Sequence, residues 1–109
     1  MLKAVFGSAA AERTLLYLQN YGEGYAVGIA RTFGLAPSQV SKQLTKFENA
    51  GLLVSRTVGR ARVYYWNDRN PLVKDLRALL QATLELLPDE ELQRYYRERR
   101  RPRRKGKAA

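Results

Sequence analysis

The segment 26–53 restricts the possible folds of this chain more than any other part of the sequence. Ile29, Ala30 and Phe33 lie at the spacing of one helical face. Gly34 follows at a point where a helix can end in a left-handed residue without steric cost. The pattern predicts a short helix that ends at a tight turn.

A second short helix is predicted directly after this turn. Pro37 occupies a position that helix starts tolerate, because its missing N–H would have no partner within the helix. Val40, Leu44 and Phe47 follow at helical spacing and mark a second apolar stripe. Two short helices joined by a tight turn form a helix-turn-helix, whose second helix spans about residues 37–50.

The polar face of this second helix carries hydrogen-bonding and basic side chains, and Glu48 is its one acidic residue. Such a face suits the major groove of DNA, where the N-terminal half of the helix approaches the base edges. An ordinary solvent-exposed helix face is the alternative interpretation. The residues that we expect to contact DNA are Ser38, Gln39, Ser41, Lys42, Thr45 and Lys46.

A β-hairpin is predicted after the helix-turn-helix, over about residues 53–67. Its second half is dense in Val, Tyr and Trp, which favour a pleated, half-buried surface. Gly59 supplies the backbone freedom that the turn requires. Arg56, Arg60 and Arg62 are expected to cluster around the tip and to contact the DNA backbone.

The order and spacing of these motifs resemble the winged helix-turn-helix regulators of the ArsR/MarR type. The resemblance covers roughly residues 2–87. It rests on Val-Phe-Gly-Ser near the start, Ser-Gln-Val-Ser-Lys-Gln-Leu in the second helix, Glu-Asn-Ala-Gly-Leu-Leu after it, and Asn-Pro-Leu followed by Leu-Arg-Ala-Leu-Leu beyond the hairpin.

This resemblance implies a mainly α fold with a small β-hairpin wing (α+β) and a C-terminal helical extension. It implies that the chain binds double-stranded DNA and regulates transcription. It also implies that Tyr64 and Trp66 face the core, and that Tyr25 and Ala26 form a short edge strand beside the wing.

A leucine-rich helix is predicted after the hairpin, with Asn70 as its N-cap and Pro71 at its first position. Its apolar stripe is too broad for one small domain to cover, and a band of that width usually finds a partner. We expect a two-fold homodimer, which suits a two-fold DNA site, and packing within one chain is the alternative. The expected interface residues are Leu72, Leu76, Leu79, Leu80, Thr83, Leu84 and Leu87.

The sequence therefore predicts three regions. Residues 1–67 form the winged helix-turn-helix domain, in which Ser8 caps the first long helix. Residues 68–101 form C-terminal helices that mediate dimerisation, and residues 102–109 form a flexible basic tail.

The absence of Cys and His argues against several classes of function. The commonest catalytic base, the commonest metal ligand and the thiolate sites of ArsR-type metal sensors are all missing. We expect no enzyme activity, no metal and no cofactor. Since no segment resembles a signal peptide or the ~20 apolar residues of a membrane span, we expect a cytoplasmic protein.

The net charge of +10 is unevenly distributed. Residues 25–67 carry six basic and one acidic side chain, and residues 97–109 carry eight and one. Attraction to a polyphosphate usually explains such a distribution, although a basic surface that only maintains solubility is the alternative. The other functions left open are an adaptor or antitoxin-like partner of another protein, and a non-specific DNA or RNA binder that uses the basic tail. For RNA, Tyr95 and Tyr96 would join the tail in the contact surface.

Overall fold

The computed structural model describes residues 2–96. The elements are α1 (Lys3–Phe6), α2 (Ala9–Tyr21), β1 (Glu23–Gly24), α3 (Ala26–Phe33), α4 (Pro37–Asn49), β2 (Leu53–Val58), β3 (Ala61–Trp66), α5 (Pro71–Leu86) and α6 (Asp89–Tyr95). The fold is mainly helical with one small antiparallel sheet, which confirms the predicted winged helix-turn-helix. The predictions for the basic tail and for residues 97–101 lie outside the described residues.

Local capping signals determine where several helices begin and end. Ser8 Oγ accepts a hydrogen bond from the Ala11 N–H at 3.0 Å, which caps α2 as predicted. Asn70 Oδ1 accepts one from the Leu72 N–H at 3.0 Å and caps α5. Gly34, with φ of 69°, ends α3 in the left-handed conformation. These three ends were readable from the sequence because each depends on one residue and its immediate neighbours.

The sheet has the strand order β1-β3-β2, with both pairs antiparallel. The hairpin lies where it was predicted, but the edge strand does not. The edge strand consists of Glu23 and Gly24, whereas Tyr25 is the N-cap of α3. The prediction of a strand at Tyr25 and Ala26 is therefore wrong. Gly24 fits there because a Cβ at this position would lie 2.7 Å from Tyr17 Cε1.

The hydrophobic core of residues 2–96 lies between the helices and one face of the sheet. Tyr64 and Trp66 are buried on that face, which confirms the predicted orientation of β3. The Trp66 indole N–H also donates a hydrogen bond of 3.2 Å to the main-chain oxygen of Leu18. The wing strands are thereby joined to α2 at the centre of the molecule.

The helices beyond the hairpin contribute to this same core. Leu80, Thr83 and Leu84 of α5 are buried within the chain, with 0%, 4% and 2% of their surface exposed. These three residues were expected in a dimer interface. They are instead packed within one chain, because α5 lies against α2. Leu76 and Leu87 are half-buried against the core, and Leu72 and Leu79 are exposed.

Helix α6 packs against the core through Leu92 and Tyr95, and the Tyr95 ring centroid lies 5.0 Å from that of Phe33. The residue after it, Tyr96, is 1% exposed, and its ring centroid lies 5.9 Å from that of Phe33 at the end of α3. The Asn20 side-chain amide donates a hydrogen bond of 3.1 Å to the Tyr96 carbonyl oxygen. The last described residues therefore support the position of α3.

Among residues 2–96, no helix combines the length and the apolar character needed to cross a membrane.

Candidate nucleic-acid interface

Helix α4 presents one polar face to solvent and holds the opposite face in the core. Val40, Leu44 and Phe47 are buried, which fixes the rotation of the helix about its axis. The predicted DNA-contacting residues of this helix are all exposed: Ser38, Gln39, Ser41, Lys42, Thr45 and Lys46. At 3.6 residues per turn they cover an arc of about 160°.

The Gln39 side chain has a structural role in addition to its predicted one. Its Oε1 atom accepts a hydrogen bond from the Ala36 N–H at 3.4 Å and so closes the start of α4. A paired contact with adenine would use this same oxygen to accept from the base amino group. This amide oxygen has two lone pairs, so the bond from Ala36 restrains the Gln39 side chain and still leaves acceptor capacity for an adenine.

The structure divides the three wing arginines between the two faces of the hairpin. In the register of the hairpin, Thr57 lies opposite Arg62 and Arg56 lies opposite Val63. Because neighbouring residues of a strand point to opposite faces, Arg56 and Arg62 lie on different sides of the wing. The expected single cluster of arginines at the tip is wrong in this respect.

Arg62 is connected to the helix-turn-helix through two side chains. Arg62 Nη1 donates a hydrogen bond of 2.9 Å to Ser55 Oγ, and the Ser55 hydroxyl donates one of 2.6 Å to Glu48 Oε2. Glu48 lies near the end of α4. This series of bonds orients Arg62 relative to the helix that carries the predicted DNA-contacting face.

Arg56 is held on the other face of the wing. Its Nη2 atom lies 2.9 Å from Glu23 Oε1 of β1, and its guanidinium carbon lies 5.0 Å from the ring centroid of Tyr65. The hydrogen bond to the Glu23 carboxylate raises the pKa of the Arg56 guanidinium. Part of the charge that we expected to face DNA is thus compensated within the chain.

Arg31 was not among the candidate residues that the sequence suggested. This exposed side chain of α3 lies along the same cleft as Arg60, Arg62 and Ser41. The signal available in the sequence was its place within the basic segment 25–67, but helical spacing alone did not show which neighbours it would have.

The aromatic pair at the end of α6 has structural contacts. Tyr96 is buried, and the Tyr21 hydroxyl donates a hydrogen bond of 2.7 Å to the Tyr95 carbonyl oxygen. Tyr96 is therefore inaccessible as the RNA-contacting surface that one alternative had assigned to it.

The described residues contain no group of three or more His, Cys, Asp or Glu side chains that could hold a metal ion. The polar side chains that the exposed face of α4 and the wing offer to a ligand are basic, hydroxyl and amide groups.

Comparisons with known proteins identify the fold. No protein-family model matches the sequence, and no curated protein matches it. A MarR-family transcriptional regulator from a Rhodococcus species superimposes with a TM-score of 0.54 and 20% identity, covering 84% of this chain and 71% of that one. ZitR from Lactococcus lactis superimposes with a TM-score of 0.54 and 20% identity, and the match covers 78% of this chain and 73% of ZitR. AntR, an antimony-specific transcriptional repressor, superimposes with a TM-score of 0.50 and 21% identity, and the match covers 77% of this chain and 68% of AntR. The chain thus shares its winged helix-turn-helix fold with structures of this kind, as the resemblance implied.

Proposed function

We propose that this protein is a sequence-specific double-stranded DNA-binding transcriptional regulator. The observation that carries the proposal is the exposed polar and basic face of α4 beside an arginine-bearing wing. Two of the structural neighbours are described as a transcriptional regulator and a transcriptional repressor, which supports the same function. Neither Cys nor His is available in the chain for an enzyme mechanism.

Helix α4 is proposed to enter the major groove with its N-terminal half toward the bases. Lys42 donates to guanine and Gln39 contacts adenine, and each good paired contact discriminates against a wrong base by about 1–3 kcal/mol. Ser38 and Ser41 border the same bases. Thr45 and Lys46 lie further along the exposed face and contact phosphates.

The wing is proposed to hold the DNA backbone through Arg60 and Arg62. Phosphate contacts of this kind fix the register of the protein on the duplex and carry little sequence information. Arg56 contributes less to binding, because Glu23 already compensates its charge.

A homodimer is proposed to place two copies of this interface on a two-fold DNA site. Leu72, Leu79 and Leu86 of α5 recur every seven residues and are 67%, 46% and 71% exposed. These leucines form an exposed apolar row along α5, which a second copy of the chain would cover on packing. Leu86 was not among the expected interface residues, whereas the buried Leu80 was.

Selection from a library of random duplexes tests the specific-regulator proposal. We expect an enriched motif, and we expect fluorescence anisotropy to show tighter binding to it than to a scrambled duplex. Lys42→Ala and Gln39→Ala relax the preference, whereas Lys74→Ala, at an exposed lysine of α5, leaves it unchanged. Failure to enrich any motif would refute sequence-specific recognition.

A further inference from the structure

A cleft between the wing and the helix-turn-helix brings together three arginines from separate parts of the fold. Arg31 comes from α3, Arg60 from the hairpin turn and Arg62 from β3. All three side chains are exposed, and no acidic side chain lines the cleft. The cleft is therefore a local concentration of positive charge.

Two of these three guanidinium groups remain available for a ligand. Arg62 donates to Ser55, but neither the Arg31 guanidinium nor the Arg60 guanidinium forms a hydrogen bond or an ion pair with any other residue in the range 2–96. Guanidinium groups form paired, charge-assisted hydrogen bonds to phosphate oxygens. An anionic ligand in the cleft would also relieve the mutual repulsion of the three charges.

Apolar side chains border the same cleft. Tyr25, Val27 and Val58 line it and are 39%, 46% and 51% exposed. A free inorganic anion makes no use of apolar walls. A nucleic-acid strand presents phosphates next to the carbon atoms of its sugars, and so matches both parts of this surface.

We propose that the cleft binds the sugar–phosphate backbone of one strand of duplex DNA, with Arg31 as a phosphate-contacting residue alongside Arg60 and Arg62. Ser41 lines the cleft and also belongs to the exposed face of α4. The DNA strand whose backbone binds in the cleft therefore also borders the major groove that α4 is proposed to enter. This inference rests on the proposed DNA binding but not on sequence specificity.

The test uses full-length protein and a scrambled duplex, because contacts to phosphates do not depend on sequence. Binding is measured by anisotropy over a salt series for Arg31→Gln and for Arg69→Gln, a matched change at an exposed arginine outside the cleft. We expect Arg31→Gln to weaken binding several-fold and to reduce the log-log salt slope by about 0.9, the loss of one phosphate contact. Arg69→Gln leaves both quantities unchanged.

A second experiment locates the phosphate on the duplex that selection enriches, because a protein bound in one register contacts the same phosphates in every complex. In a series of duplexes, one phosphate at a time is replaced by a neutral methylphosphonate. We expect that replacement at one position weakens binding of the unmodified protein but does not weaken binding of Arg31→Gln. A general loss of stability would not remove sensitivity at one position only.

A second pair of variants places a carboxylate in the cleft. Val27→Asp lies in the first turn of α3, where a negative charge favours the helix, and Val5→Asp is the matched change at an exposed valine of α1. We expect Val27→Asp to weaken binding to duplex DNA and Val5→Asp to leave it unchanged. If the original protein binds duplex DNA but Arg31→Gln and Val27→Asp behave like their controls, the cleft inference is wrong and the proposed function stands. If the original protein binds no duplex, the proposed function fails as well.

Discussion

Arg56 Nη2 lies 2.9 Å from Glu23 Oε1, so an arginine of the wing is bound to the edge strand of its own sheet. The two residues are 33 positions apart in the chain. Their side chains are 47% and 42% exposed, so the pair contributes little to folding stability. Its main effect is on the charge that the wing offers to the proposed DNA ligand.

Replacing Glu23 by Gln is expected to strengthen binding to any duplex. The change removes a negative charge from the wing and releases Arg56 to contact a phosphate, which raises the log-log salt slope by up to about 0.9. Anisotropy over a salt series measures both effects. Arg60→Gln is expected to weaken binding more than Arg56→Gln does, and the opposite order would show that Arg56 contacts DNA despite Glu23.

Tyr96 is expected to make folding stability sensitive to alkaline pH. Burial raises the pKa of its hydroxyl above the ordinary value of about 10. The unfolded chain therefore loses this proton first, so the stability that Tyr96 contributes is complete below about pH 10 and falls above it. The loss approaches about 1.4 kcal/mol per pH unit.

Urea unfolding of the original protein and of Tyr96→Phe, from about pH 8 to about pH 11, tests this expectation. In Tyr96→Phe, the free energy of unfolding should fall less as the pH rises, because the contribution of the Tyr96 hydroxyl is absent. Tyr25→Phe, at an exposed tyrosine, is the control. Equal pH dependence in the original protein and Tyr96→Phe would contradict the assignment.

Trp66→Phe is expected to destabilise the fold. The substitution removes the indole hydrogen bond to Leu18 and leaves a cavity at a residue that is 4% exposed. The Leu18 oxygen still accepts from the Gly22 N–H at 2.8 Å, so no buried acceptor is left without a partner. We expect a loss of about 1–3 kcal/mol. Unfolding must be followed by circular dichroism, because Trp66 is the only tryptophan of the chain.

Two neighbouring leucines of α5 should separate folding from dimerisation. Leu80→Ala is expected to cost about 2–5 kcal/mol of folding stability, because Leu80 is fully buried within the chain. Leu79→Ala should leave that stability nearly unchanged and raise the dissociation constant of the proposed dimer by about tenfold, equivalent to about 1.4 kcal/mol. Urea unfolding and sedimentation equilibrium measure the two quantities. A monomeric original protein, or an unchanged dimer in Leu79→Ala, would argue against the α5 interface.

The elements themselves could be predicted from the sequence because their signals are local. Gly34 and Gly59 adopt the positive φ values that their turns require, 69° and 61°. The apolar stripe of α4 gave the orientation of its exposed face, since helical periodicity determines which residues point the same way. The polar candidates on that face are exposed for this reason.

The neighbours of each face were decided by the tertiary structure. Periodicity showed that α5 has a broad apolar stripe, but only packing against α2 determined that Leu80 and Leu84 are covered while Leu72 and Leu79 are not. Likewise, the charge of Arg56 was evident in the sequence, whereas its neutralising partner came from a strand far away in the chain.

Composition and spacing thus determined the elements, their polar faces and the basic character of this protein. The covered leucines, the compensated Arg56 and the cleft that includes Arg31 depended on where the chain brings distant elements together. A side chain's availability to a ligand is a property of everything packed around it, and local periodicity contains no information about neighbours from elsewhere in the chain.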